Sequence, residues 1–322
     1  MLRREFIRSG GSGLIAMAVT TATPLGRSAF AETAPKEIRF GFQKTGLFVP
    51  IRQRRTYENF FNPLGVAVRW VEFQFGPPML EALNLGSIDF AAVGDAPPIF
   101  AQAAAANLYY VAAQPPPGEA VVVAPDSPIR TLADLRGKKI GVPKGSSAHA
   151  TAVAAVEKAG LAWSDVTPVY LAPADGVAAF DRGIIDAWAI WDPYLAIAEV
   201  TKNARSLAFN TEAHDPHFFY LANKAFADKY PAVVSQIADV LAGEAAWAEA
   251  HHDEIASLLQ EAQGVDLAVE KRVVSRAKYM IEPVNDEIVA GQQATADQFY
   301  RLGLIPKKIN VRDIVWKWTP RA

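Results

Sequence analysis

The chain contains no cysteine. That absence excludes disulfides, cysteine-ligated zinc, iron–sulfur clusters, a catalytic thiol and a lipid anchor on cysteine. Charge of one sign is also lacking, since 32 Lys+Arg against 34 Asp+Glu leave a net −2. This balance argues against nucleic acid and against an anionic membrane surface as the main partner. Beyond the first 31 residues no stretch reaches the roughly 18 uninterrupted apolar residues of a membrane span. Histidine is scarce, with five in the chain, and neither H-E-x-x-H nor a G-x-S-x-G elbow occurs. His214 and His217 stand three apart in a Pro/Asp-rich loop without evident further ligands. No metal site, no cofactor and no catalytic residue is expected.

What is present is ample material for a core: 51% of the 322 residues are hydrophobic and 20% charged, enough for two domains or lobes. Part of that apolar content sits in a three-part export segment. Arg3, Arg4 and Arg8 precede a small-residue apolar run from Gly10 to Ala22, and Ala29-Phe30-Ala31 forms an A-x-A cleavage signal. Arg3-Arg4-x-Phe6-Ile7-Arg8 is similar to the twin-arginine export motif. Cleavage after Ala31 takes four arginines and one glutamate with it and moves the net charge from −2 to −5. The mature chain is expected outside the cytoplasm, in the periplasm.

Along the mature chain, short apolar runs alternate with helix-length amphipathic segments. Strands are expected at Ile38–Phe42, Ala67–Phe73, Asp89–Val93, Leu108–Ala112, Lys139–Val142, Val166–Leu171 and Ala187–Ile190, with helices between them. Such alternation predicts an α/β fold with mainly parallel sheets flanked by helices, and ligands outside the carboxyl ends of the strands. An internal echo adds to this. Gly86-x-Ile88-Asp89 recurs as Gly183-x-Ile185-Asp186, and G-x-x-K occurs at Gly41–Lys44 and Gly141–Lys144. A repeat of this period suggests two similar lobes. Gln114-Pro115-Pro116-Pro117-Gly118 reads as one linker and the Asn210–Pro216 region as another. Residues 32–117 and 217–322 are therefore assigned to lobe 1 and 118–216 to lobe 2. Two crossovers make a hinge.

The strand-end loops hold the candidate site. Lys144-Gly145-Ser146-Ser147-Ala148-His149 follows a strand and opens an alanine-rich helix, so its first-turn N–H groups can meet an anion. It lacks the second glycine and the Lys-Ser/Thr pair of a nucleotide-binding loop. His149 is either a base beside Ser146 and Ser147 or a hydrogen-bond donor at the helix start. Asp95 and Asp192 each end a strand before a helix. Beside an anion they would repel it, so they are expected to accept from helix N–H groups or a ligand amine. Gln43 can donate two hydrogen bonds at the same rim and Lys44 adds charge. Trp191 is placed to pack an apolar ligand body, while Trp188 is expected in the core.

At these loops the sequence resembles the periplasmic aliphatic-sulfonate-binding proteins of ABC importers, within the nitrate/sulfonate/taurine-binding family. The likeness runs along nearly the whole mature chain. It includes Gly41-Phe42-Gln43-Lys44, Gly94-Asp95-Ala96-Pro97-Pro98, the Lys144–His149 loop and, most specifically, Asp186-Ala187-Trp188-Ala189-Ile190-Trp191-Asp192-Pro193-Tyr194. The resemblance implies a two-lobed periplasmic binding fold of type II with two hinge crossovers. It implies an alkanesulfonate in the interlobe cleft, delivered to a permease coupled to an ATPase, and a monomer that is not an enzyme. By position it points to Gln43, Gly94, Asp95, Ala96, Ser146, Ser147, Ala148, His149, Trp191 and Asp192. Ala148 departs from relatives that carry a third serine there, which removes a hydroxyl donor but keeps the N–H. Taurine, nitrate or a sulfate ester are alternative ligands of the same family. Desulfinases on this fold use a cysteine nucleophile, which this chain lacks.

Overall fold

The computed structural model describes residues 34–320; the expected export segment, residues 1–31, lies outside them. Ten strands form two five-stranded sheets of the same design. The first holds β1 (Glu37–Phe42), β2 (Ala67–Glu72), β3 (Phe90–Val93) and β4 (Leu108–Gln114). The second holds β5 (Glu119–Val123), β6 (Lys139–Val142), β7 (Thr167–Tyr170), β8 (Ala187–Trp191) and β9 (Arg205–Phe209), and β10 (Phe218–Asn223) returns to the first. The strand orders are β2-β1-β3-β10-β4 and β7-β6-β8-β5-β9.

In each sheet three neighbouring strands run parallel, as the β/α alternation requires, and the strand that enters by a crossover inserts antiparallel. The inserted strands, β5 and β10, follow linkers rather than belonging to a β–helix unit, so the alternation of the sequence does not announce them. The crossovers lie side by side: Asn210 Nδ2 donates to the Pro117 carbonyl at 3.2 Å.

The sequence echo has a physical cause. Asp89 Oδ2 accepts from the β1 backbone at Arg39 N (2.8 Å), and Asp186 Oδ2 accepts from the β6 backbone at Lys139 N (2.7 Å). A Cβ on Gly41 would collide with Ile88 Cδ1, and one on Gly141 with Ile185 Cδ1. In both lobes, then, isoleucine packs on a bare strand glycine and the following aspartate holds the neighbouring strand. Only in the first lobe does the aspartate also carry a bidentate arginine, through Arg39 Nε and Nη2 at 2.9 and 2.6 Å.

Each sheet is buried on both faces by helices. Phe40 stacks on Tyr57 with ring centroids 4.5 Å apart, on the face covered by helix Pro231–Ala250. Helix Asp286–Arg301 covers the other face of the first sheet through Ile288, Val289 and Phe299. Two segments of the C-terminal region also reach the second lobe. Helix Leu267–Val274 packs on helix Tyr194–Lys202. On the far side, Gln298 and Arg301 bind Glu157 of helix Ser147–Lys158 at 2.7 and 2.9 Å.

Candidate functional site

The carboxyl ends of the parallel strands of both lobes face one cleft. From the first lobe come Gln43-Lys44-Thr45 after β1, Glu72–Gln74 at the end of β2, Gly76 opening helix Gly76–Asn84, and Gly94 after β3. From the second come Ser146 and Ser147, and Trp191 at the end of β8. The crossovers add Pro117 and Phe218 to the floor. Between the closed lobes the floor leaves about 20 Å³, room for roughly one water. Gln43, Thr45 and Trp191 are shared with a wider outer chamber of about 300 Å³, lined further by Phe73, Pro173, Tyr194 and Ile197, with Lys44 and Glu72 at its edge.

The donors of the floor can be counted. Ser146 Oγ donates to the Pro143 carbonyl at 2.6 Å, while the N–H groups of His149 and Ala150 both turn back to the Ser146 carbonyl. That leaves the N–H groups of Ser147 and Ala148 without an acceptor among the described residues, at the positive end of a twelve-residue helix. The facing turn of the first lobe offers less. Ala96 N–H is taken by Asp95 Oδ1 at 2.8 Å, and Pro97 and Pro98 carry no N–H. At this turn and the neighbouring helix start, the N–H groups of Gly94 and Gly76 remain as backbone donors at the floor.

Behind the floor lies a buried polar chain. Glu119, 1% exposed, accepts from Ser147 Oγ at 2.5 Å and from Thr151 Oγ1. Thr151 Oγ1 also meets His214 Nε2 at 3.2 Å, and His214 Nδ1 faces Asp95 Oδ2 at 3.5 Å. Burial dominates the titration of each member. It pushes Glu119 up to about 7, against the lowering effect of the two hydroxyls, and holds Asp95 well above the usual carboxylate range. It brings His214 down to about 4, so the imidazole is neutral at neutral pH.

Asp192 is held from a different direction. Arg276, in the segment after helix Leu267–Val274, donates to its two oxygens at 2.8 and 3.0 Å, and Ala196 N–H donates to Oδ1 at 3.0 Å. Burial pushes Asp192 up to about 6 although Arg276 pulls the other way. The Asp192–Pro193 bond is cis, and the Asp192 carbonyl accepts from Thr45 Oγ1 across the cleft at 3.3 Å.

Of the residues expected from the sequence, Gln43, Gly94, Ser146, Ser147 and Trp191 line the floor. Asp95 and Asp192 each accept an N–H from the first turn of the helix that follows, from Ala96 and Ala196, which is one of the acceptor roles expected of them. The methyl groups of Ala96 and Ala148 pack into the cores of their lobes, so only the backbone of Ala148 is available to the cleft. His149 turns away from it. Its ring lies among Phe100, Trp163, Tyr170 and Phe299 at centroid distances of 5.5–6.3 Å, and its Nδ1 accepts from Gly145 N–H at 3.3 Å instead of donating. Thr45, Gly76, Pro117, Phe218, Glu119 and His214 were not foreseen. The Gly76-Pro77-Pro78 helix start and the lone acid after the Pro115-Pro116-Pro117-Gly118 linker were the available signals.

Comparison with known proteins agrees with this architecture. Residues 56–255 match the family model described as NMT1/THI5 like. The aliphatic sulfonates-binding protein of Escherichia coli (strain K12) is 41% identical over 293 residues, which cover 90% of this chain and 91% of that protein. The crystal structure of the periplasmic aliphatic sulphonate binding protein from Escherichia coli matches with a TM-score of 0.81 at 40% identity, over 90% of this chain and 94% of that one. The alkanesulfonate-binding protein of Xanthomonas axonopodis pv. citri, solved bound to MOPS, matches with a TM-score of 0.82 at 38% identity, over 88% of this chain and 98% of that one.

Proposed function

We propose, for a chain that belongs to the NMT1/THI5-like family and within it to the aliphatic-sulfonate-binding proteins, that it is the periplasmic solute-binding component of an ABC importer and captures alkanesulfonates between its lobes. It is a binding protein and not an enzyme, as are the relatives that match it at 38–41% identity.

One observation carries the ligand reading. The two free N–H groups at the start of helix Ser147–Lys158 face the glycine turn of the other lobe, and Trp191 stands between this floor and the 300 Å³ chamber. A sulfonate stays ionised throughout the physiological range and needs donors only. Helix N-termini supply them without a buried counter-ion. Hydrogen bonds to a charged group contribute roughly 1.5–3 kcal/mol each. The tail lies along Trp191 into the chamber, at roughly 0.8 kcal/mol per buried CH₂. Nitrate or sulfate would leave that chamber unused, which favours a ligand with a tail.

Gln43, Gly94, Ser146, Ser147, Trp191 and the Ala148 N–H form the contact set in this reading. The lobes hinge at the 117/118 and 216/217 boundaries. Since the closed floor has room for little more than a water, the lobes part to admit the head group and close on it, giving the permease a shape that distinguishes loaded from empty. Removal of residues 1–31, delivery to a permease driven by an ATPase, and a monomeric state complete the proposal.

A thermal-shift panel tests it. Straight-chain sulfonates at 100 times Kd should stabilise the protein by about 2.7 kcal/mol. Stabilisation by nitrate, sulfate or taurine, with none by straight-chain sulfonates, would overturn it.

A further inference from the structure

We propose that Glu119 is a proton-linked positioning residue of the anion site: it takes up one proton when the anionic ligand binds and thereby turns the Ser147 hydroxyl into the cleft. This rests on the reading of the cleft floor given above.

The geometry sets the choice. Both oxygens of Glu119 accept, one from Ser147 Oγ at 2.5 Å and one from Thr151 Oγ1. A hydroxyl has one proton to give. While Glu119 is ionised, the Ser147 proton is committed to it and none is left for a ligand. A full negative charge also stands directly behind the floor that is to receive an anion.

No cation in the surroundings is free to offset that charge. Helix Ser147–Lys158 presents only the Ser147 and Thr151 hydroxyls to Glu119. Asp192, at the end of β8, and Asp95, across the lobe interface, act on it as further acids. Arg276 is bound to Asp192 and Glu199, and Glu199 is shared with Arg272. Glu212 accepts from the Phe209 N–H, and Arg205 on β9 donates to the carbonyls of Pro125, Ser127 and Ile129. His214 reaches Glu119 only through Thr151, and its own charged neighbours are Asp95 and Asp215.

Protonation resolves both conflicts at once. The new Glu119 O–H donates to Ser147 Oγ, Thr151 goes on donating to the other oxygen, and the Ser147 proton is released toward the ligand. One O–H bond forms with a proton from solvent, and nothing else is made or broken. Burial already holds the carboxyl near 7 in the empty protein, so uptake is expected at and above neutral pH.

Calorimetric titration with methanesulfonate tests this, in imidazole, cacodylate and Tris buffers, since the common zwitterionic buffers are themselves sulfonates. Wild type should take up close to one proton at pH 8, and its Kd should be about tenfold weaker at pH 8 than at pH 6. In Glu119→Gln the amide donates to Ser147 and its oxygen accepts from Thr151, which reproduces the protonated acid. That variant should bind with a pH-independent Kd no weaker than wild type at pH 8. Ser147→Ala should bind more weakly than wild type at pH 6, where Glu119 is protonated and only the hydroxyl's bond to the ligand is lost; equal affinity there would overturn the proposal. A wild-type Kd constant within twofold from pH 6 to 9 with no proton uptake would overturn the proposal, as would loss of binding in a folded Glu119→Gln protein. If methanesulfonate binds at no pH, the reading of the cleft itself fails and the proposal goes with it.

Discussion

Gly94 of one lobe lies directly against Ser147 of the other: a Cβ built on Gly94 would come within 2.6 Å of Ser147 Cβ and 2.9 Å of its Oγ. The lobes close this far only because position 94 has no side chain. Gly94→Ala should therefore prop the cleft open and weaken sulfonate binding at least tenfold, with little change in Tm, since the added methyl meets the other lobe and not its own core. Titration calorimetry beside a thermal melt checks this. Unchanged affinity would mean that the ligated lobes never approach to this distance.

Trp191 borders both the floor and the outer chamber. Trp191→Ala should cost hexanesulfonate more than tenfold in affinity and methanesulfonate less than threefold, because only the longer tail reaches the indole face, at roughly 0.8 kcal/mol per buried CH₂. Equal losses for the two ligands would remove the tail from beside Trp191.

Arg276 and Asp192 form a buried pair whose side chains are 14% and 1% exposed. Taking the arginine away leaves Asp192 without its counter-charge. Arg276→Met should cost about 3–5 kcal/mol in urea denaturation. The double variant Arg276→Met/Asp192→Asn should recover a large part of it, because the asparagine oxygen can still accept from Ala196 N–H. A double variant no more stable than the single would show that Arg276 acts through other contacts.

His149 is buried among aromatic rings, and burial lowers it from 6.5 to about 4, with the Lys144 charge adding to the effect. Above pH 6.5 the imidazole is neutral in both folded and unfolded chains and its contribution is fully present. As pH falls toward 4 the unfolded chain takes up a proton that the native one refuses, so stability is lost, roughly 2 kcal/mol by pH 5. The raised Glu119 works in the opposite sense, since its destabilising charge is removed as pH falls through about 7. His149→Phe isolates the histidine: its loss of stability between pH 7 and pH 5 should be smaller than wild type by about 2 kcal/mol. An identical loss would mean that His149 does not titrate across this range.

Sequence reasoning reached the elements whose causes are local. Aspartates that open a strand and glycines under isoleucines recur in both lobes, and the helix starts at Asp95 and Ser146 come soon after a strand, because each does its work within one β–helix unit or the next. It did not reach what is assembled from distant segments. The rings that enclose His149 belong to helix Ala96–Ala103, the segments around Trp163 and Tyr170, and helix Asp286–Arg301, so nothing near position 149 distinguishes a core histidine from a ligand. Glu119 meets Ser147 and Thr151 only because β5 inserts antiparallel beside β8, and that insertion is set by the first crossing of the hinge. The Gly94-Asp95-Ala96 turn was recognisable as a site element, but its donor capacity was not, since Asp95 and two prolines consume it.

The location of the ligand's sulfur is the most direct test. The described residues hold two sulfur atoms, those of Met79 and Met280, and the chain has no cysteine. Long-wavelength anomalous diffraction from crystals grown with an alkanesulfonate should therefore show a third sulfur peak between the Ser147 and Ala148 N–H groups and the Gly94 turn, with the tail running past Trp191. A third peak elsewhere on the molecule, or none at ligand concentrations that saturate the protein in solution, would contradict the assignment of the cleft floor as the sulfonate site.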